Sequence, residues 1–190
     1  MSEYKVAFFD ADGTLWHRSD KKYCFTSGMS SAELARSLES GAIRPTPGAK
    51  DFLQFLALSN IRIVLASENV WKVVVSIMEH PKIALDRFFK RDFEGKNEYE
   101  SERIYLMPYN SYGCYTKAEC VRHYLKSYNI APKEAFFVDN ELRDLKALEA
   151  IMPDLKTILM RTESVPKEKW KDVADSFEEL LLRFSAKQIP

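Results

Sequence analysis

The chain has 190 residues, of which 46% are hydrophobic and 29% charged, a length and balance that fit one globular domain with a full core. Its 28 Lys and Arg are matched by 28 Asp and Glu, so the basic excess of a nucleic-acid binder is missing, and local pairs such as Lys21-Lys22 read as solvated surface. Cys24, Cys114 and Cys120 are scattered; their spacing makes neither a disulfide framework nor a zinc site. They read as free thiols of a reducing cytoplasm. The start at Met1 to Lys5 lacks the blocks of a signal peptide, and no stretch approaches a membrane span. The expectation is a soluble, cytoplasmic protein with no membrane partner.

In chain order, five short apolar runs recur: Lys5 to Phe9, Ile61 to Ala66, Arg103 to Met107, Ala135 to Val138 and Thr157 to Met160. Such runs fit strands buried on both faces, as in a parallel sheet. Segments of helical periodicity lie between them. Pro47 to Leu58 carries Phe52, Leu53, Phe55 and Leu56 on one face. Val70 to Met78 has helical spacing despite its valines. Thr116 to Tyr128 opens on Thr116 with Glu119 at the capping-box position. Glu141 to Ile151 ends before Pro153, and Ser176 to Phe184 opens on Ser176 with Glu178 and Glu179 in its first turn. Alternating strands and helices predict a three-layer α/β/α, doubly wound parallel sheet. Two stretches break the alternation: Trp16 to Pro45, polar with one short helix over Ala32 to Leu38, and Asp86 to Ser101, strongly charged. There is no internal repeat.

The strongest chemical signal is Phe8-Phe9-Asp10-Ala11-Asp12-Gly13-Thr14-Leu15. An apolar strand delivers two carboxylates to the place where open α/β sheets bind ligands, beyond the carboxyl ends of the strands. A carboxylate there can serve as nucleophile and metal ligand, and its neighbour as general acid and base. Gly13 allows the sharp turn. An ordinary Asx-rich turn is the plain alternative for a lone Asp-x-Asp, but the full string is more specific.

This string resembles the first motif of the haloacid dehalogenase superfamily of phosphatases. The other motifs follow in order. Ser67, after Ile63-Val64-Leu65-Ala66, matches the second, whose hydroxyl donates to a phosphoryl oxygen; taken alone it would read as a helix N-cap before Glu68. Lys117 matches the third, an ammonium that offsets charge on the nucleophile and the phosphoryl group; Lys126 and Lys133 are weaker competitors. Phe137-Val138-Asp139-Asn140-Glu141 matches the acidic fourth motif, with Asp139 as the metal carboxylate and Asp144 at the spacing of a second acidic residue. The alternative for Asp144 is a first-turn residue facing the helix dipole. Val138 and Asn140 depart from the pattern, and Asn140 is expected to hydrogen-bond a metal-bound water.

The resemblance covers roughly residues 4 to 160 and implies a magnesium-dependent phosphatase. Asp10 would become an aspartyl phosphate, with Asp12 as general acid and base. Magnesium would be held by Asp10, the Asp12 main-chain carbonyl and Asp139. The phosphoryl oxygens would meet the turn from Ala11 and Asp12 through Gly13 to Thr14, together with Ser67, Glu68 and Lys117. The closest branch is the small capless one, suggested by Thr14-Leu15-Trp16, Thr46-Pro47-Gly48 and Phe136 to Glu141. Lys117 to Asp139 leaves room for one helix only, and Thr14 to Thr46 for a loop, a hairpin or a short helical flap. The expectation is one domain over 1–190 with a minimal flap over 16–45 and an open site, lined at its entrance by Trp16, His17, Tyr23 and Phe25. His17 reads as a loop polar group. Such a site would admit small phosphorylated molecules or phosphoprotein side chains, or be closed by a neighbouring subunit in a homo-oligomer. A phosphotransferase or mutase, and a non-catalytic phosphate-binding module, are the competing readings.

Overall fold

The computed structural model describes residues 4–19, 26, 28–89, 116–161 and 170–186. Five parallel strands make the main sheet: β1 (Val6–Phe9), β4 (Arg62–Leu65), β5 (Ala135–Asp139), β6 (Lys156–Met160) and β7 (Val173–Ala174), in the order β4-β1-β5-β6-β7. Four match runs expected from the sequence. β7, a two-residue edge strand, is too short to leave a periodic signal. The expected run at Arg103 to Met107 lies outside the described residues, as does the charged stretch beyond Phe89.

Side-chain alternation along β1 decides the layering. Ala7 and Phe9 face one side, packing with Phe136, Val138, Ile63 and Leu65 against α2 (Ala49–Leu58), α3 (Trp71–Glu79) and α6 (Phe177–Ala186). Val6 and Phe8 face the other, packing with Val64 and Phe137 against α4 (Lys117–Ser127) and α5 (Leu142–Ile151). The result is the expected three-layer α/β/α fold. On the first side Phe136 meets Tyr4, Phe9, Phe52 and Phe184 with ring centroids 4.7–6.5 Å apart, tying sheet to both α2 and α6. No helix among the described residues is long and apolar enough to cross a membrane.

The polar stretch after β1 forms an antiparallel ribbon of β2 (Trp16–Arg18) and β3 (Ile43–Pro45), with α1 (Ser31–Glu39) between them. The short helix expected over Ala32 to Leu38 is therefore present, and it comes with a hairpin rather than instead of one. His17 sits in β2 opposite Arg44, not in a loop. Trp16 is fully buried, so it does not line an entrance; Tyr23 and Phe25 lie outside the described residues, as do Cys24 and Cys114. Cys120 is buried and in no disulfide.

β1 is flanked by β4 on one side and β5 on the other, so the chain that has reached β4 crosses back over β1 to β5 and the strand order reverses there. A crevice opens at the carboxyl ends of such strands, and Asp10 follows β1 there while Asp139 ends β5. Phe136→Ala should lower the unfolding free energy by about 3–5 kcal/mol, read as a shift of the urea midpoint with an unchanged slope.

Candidate active site

Lys117 is the first residue of α4, and a complete capping box fixes that turn. Thr116 Oγ1 accepts from the Glu119 N–H at 3.2 Å, and Glu119 Oε2 accepts from the Thr116 N–H at 3.0 Å. The cap aims the Lys117 side chain inward, where it is 5% exposed. Its ammonium meets three carboxylates: Asp10 Oδ1 at 2.9 Å, Asp139 Oδ2 at 2.8 Å and Asp144 Oδ2 at 2.8 Å. An ammonium carries three N–H donors, so three partners are the most it can serve. Lys126 is exposed in α4 and Lys133 sits in the turn before β5; neither approaches these groups.

Asp144 is thus part of the cluster and more than a first-turn residue of α5. Its other oxygen accepts from Arg143 Nε at 3.0 Å, and Arg143 Nη2 reaches Glu68 Oε2 at 3.3 Å. Asp139 Oδ1 accepts from the Glu141 N–H at 2.8 Å, closing the turn from β5 into α5. Asn140 joins Thr14. Its Oδ1 accepts from the Thr14 hydroxyl at 3.1 Å, and its N–H donates back to Thr14 Oγ1 at 3.1 Å, so its amide links the two motif turns. Asn140 also explains Gly13: φ is +86° there, and a Cβ would lie 2.6 Å from Asn140 Nδ2, so only glycine fits.

Asp12 stands apart from the ammonium, in its own ring of donors. Trp16 Nε1 donates to Oδ1 at 2.8 Å, Thr26 Oγ1 to Oδ1 at 2.9 Å, and Asn69 Nδ2 to Oδ2 at 2.7 Å. Trp16 had been expected at the mouth; Thr26 and Asn69 had no expected role. A Ser-x-Asn at the end of a strand was the only available hint for Asn69. Ser67 is 2% exposed, and its Oγ accepts from the Asn69 N–H at 3.1 Å. α3 begins only at Trp71 with Val70 as its cap, so Ser67 is not a helix N-cap. The turn after Asp10 is tied within itself. The Gly13 N–H donates to the Trp16 carbonyl at 2.8 Å and the Thr14 N–H to the Ala11 carbonyl at 3.2 Å, so the Gly13 N–H expected to face a phosphoryl oxygen is bonded within the turn here.

The electrostatics follow from burial and charge count. Burial pushes Asp12 up to about 6, and the Asp10 charge adds to it, against the bonds from Trp16, Asn69 and Thr26. Burial also raises Asp10 and Asp139, with Lys117 opposing. Burial alone would lower Lys117, but Asp10, Asp139 and Asp144 outweigh it and hold it well above the usual lysine range. For Asp144 burial is outweighed by Lys117 and Arg143, and its carboxyl is lowered. Three carboxylates therefore share one buried ammonium, with Asp12 held nearby by neutral donors, a negative excess made of hard oxygen donors. That donor set fits a magnesium ion. Among the described residues no three His, Cys, Asp or Glu side chains form a ready-made cage; the expected set needs only the side chains of Asp10 and Asp139, with the Asp12 carbonyl.

No family model matches the sequence, and no curated protein does. Solved structures do. A haloacid dehalogenase-like hydrolase from Streptococcus pneumoniae is 14% identical with a TM-score of 0.60, over 97% of this chain and 100% of that one. A predicted phosphoglycolate phosphatase from Haemophilus somnus is 12% identical with a TM-score of 0.61, over 96% and 99%. The N-terminal part of the Bacteroides fragilis protein BF1531, described as containing a phosphatase domain complexed with Mg, is 14% identical with a TM-score of 0.55, over 94% and 39%. At these identities the likeness establishes the fold, the Rossmann-like α/β fold of haloacid dehalogenase-superfamily hydrolases.

A carboxylate raised on folding binds its proton more tightly in the native state, so it withdraws stability as pH climbs from its unfolded to its folded value. In chelator the protein should therefore gain stability as pH falls from about 7 to 5. Lys117→Met, which leaves buried carboxylates uncompensated, should cost about 3–5 kcal/mol at pH 8 and less at pH 5. Chemical denaturation at the two pH values checks both outcomes.

Proposed function

We propose that this chain is a magnesium-dependent phosphatase that hydrolyses phosphomonoesters through an aspartyl phosphate on Asp10. The observation that carries the reading is the Lys117 ammonium bonded to Asp10 at the end of β1 and to Asp139 at the end of β5, with a second carboxylate, Asp12, two positions from the first. Asp10 attacks phosphorus in line. Asp12, raised toward neutrality by burial, gives its proton to the leaving oxygen and later takes one from the attacking water. Lys117 offsets charge on the transferring group, and the Ser67 hydroxyl has its own proton left to donate, since its oxygen accepts from Asn69. Asp10, the Asp12 carbonyl and Asp139 would hold magnesium, which when bound supplies charge neutralisation at the phosphoryl oxygens. The phosphatases among the similar folds support this assignment. Asp12 argues against a dehalogenase, because dehalogenases of the superfamily resembled lack that second carboxylate.

The chain is read as one domain, with residues 16–45 as the minimal flap of a small, capless type and with a cytoplasmic location. An open site of this kind takes phosphorylated metabolites or phosphoprotein side chains, and a homo-oligomer could close it.

Phosphate release from an aryl phosphate, with magnesium and with chelator, tests the proposal. Turnover should need magnesium. Asp10→Asn should remove it by on the order of a thousandfold or more, and Asp12→Asn by on the order of a hundredfold or more on a poor leaving group. Activity unchanged in Asp10→Asn would refute the nucleophile.

A further inference from the structure

Three donors from three separate parts of the chain converge on Asp12, and the reaction outlined above uses none of them. Trp16 arrives through the turn after β1, fixed by its carbonyl accepting from the Gly13 N–H at 2.8 Å. Thr26, fully buried, comes from the segment between β2 and α1. Asn69, 5% exposed, comes from the loop between β4 and α3. The Asn69 amide is oriented by its neighbours: its Oδ1 accepts from the Val70 N–H at 2.7 Å, so its NH₂ faces Asp12 Oδ2 and also reaches the Thr26 hydroxyl.

A carboxylate offers about four lone-pair positions. Trp16 and Thr26 occupy Oδ1 at 2.8 and 2.9 Å, while Asn69 occupies one position of Oδ2 at 2.7 Å; the single Thr26 proton is only shared with Oδ2, at 3.1 Å. One position on Oδ2 is left over. We infer that Asn69, Thr26 and Trp16 are positioning residues that fix the Asp12 rotamer and reserve one Oδ2 lone pair for the transferred proton. This rests on the phosphatase reading. In the first step the bond from phosphorus to the leaving oxygen breaks, the bond to Asp10 forms, and the Oδ2 proton passes to the leaving oxygen. In the second, water bonds to phosphorus, the bond to Asp10 breaks, and the water proton returns to Oδ2. The loop from Ser67 to Asn69 thereby serves both halves of the chemistry: Ser67 on the phosphoryl side, Asn69 on the acid.

A residue that acts through a general acid matters in proportion to the need of the leaving group for a proton. A residue that only stabilises the fold lowers turnover of every substrate alike. The test compares kcat/KM for 4-nitrophenyl phosphate, whose leaving group needs little protonation, with that for an unactivated alkyl phosphate, in the wild type, Asn69→Ala, Trp16→Phe and Thr26→Val. Thr26→Val keeps the side-chain volume and removes only the hydroxyl, which guards against simple misfolding. The expected result is a fall of on the order of tenfold or more in the ratio of alkyl to aryl kcat/KM in Asn69→Ala and Thr26→Val, in the same direction as Asp12→Asn. Equal losses on both substrates, or no loss on either, overturn the positioning role and leave the phosphatase reading standing. A wild-type protein that hydrolyses neither removes both.

Discussion

One buried ammonium governs this structure. Lys117 is almost inaccessible to solvent, yet it faces three carboxylates at 2.8–2.9 Å. Each partner comes from a different turn: Asp10 after β1, Asp139 at the end of β5, Asp144 in the first turn of α5. Burying four charged groups together is costly unless each is paired, so the contact forces those turns and the start of α4 into register. The sheet order supplies the approach, and the capping box at Thr116 supplies the aim. β1 and β5 are paired strands, and the lysine offsets the repulsion between the carboxylates at their ends.

The two carboxylates of the Asp10-Ala11-Asp12 turn are handled by opposite means. Asp10 is satisfied by a full charge, Asp12 by neutral donors. That division keeps Lys117 away from the carboxylate proposed as general acid and base, since an ammonium in contact would hold Asp12 ionised. It also explains why residues beyond the expected motifs enter the site. The segment from Trp16 to Pro45 packs into the core through Trp16, Leu34, Leu38 and Ile43, and so it brings Trp16 and Thr26 beside Asp12 on a fixed foundation.

Much of the fold was legible because parallel-sheet strands are apolar on both faces and the helices between them are periodic. Val6 to Phe9 and Ala135 to Asp139 are buried at every position, and such runs announce themselves. β7 did not, since two residues carry no period, and the pairing of β2 with β3 depends on His17 meeting Arg44 across an intervening helix. Of the candidate site, Asp10, Asp12, Ser67, Lys117 and Asp139 could be picked out because the motif resemblance sets their order: just after β1, just after β4, at the start of α4 and at the end of β5. Asn69, Thr26 and the inward Trp16 could not, because their meaning lies in which way a polar hydrogen points. Gly13 was recognised for the turn, but its second reason, the amide of Asn140 pressed against it, belongs to a residue 127 positions away.

Arg143 joins the buried cluster to the surface. From Lys117 a chain of charges alternates outward through Asp144 to Arg143 and Glu68, beginning where water is excluded and ending where Arg143 is 73% and Glu68 47% exposed. Dissolved ions weaken an exposed pair as salt rises and affect buried pairs much less. The chain is therefore graded. Salt loosens its outer link, between α5 and the loop that carries Ser67 and Asn69, while its inner links hold.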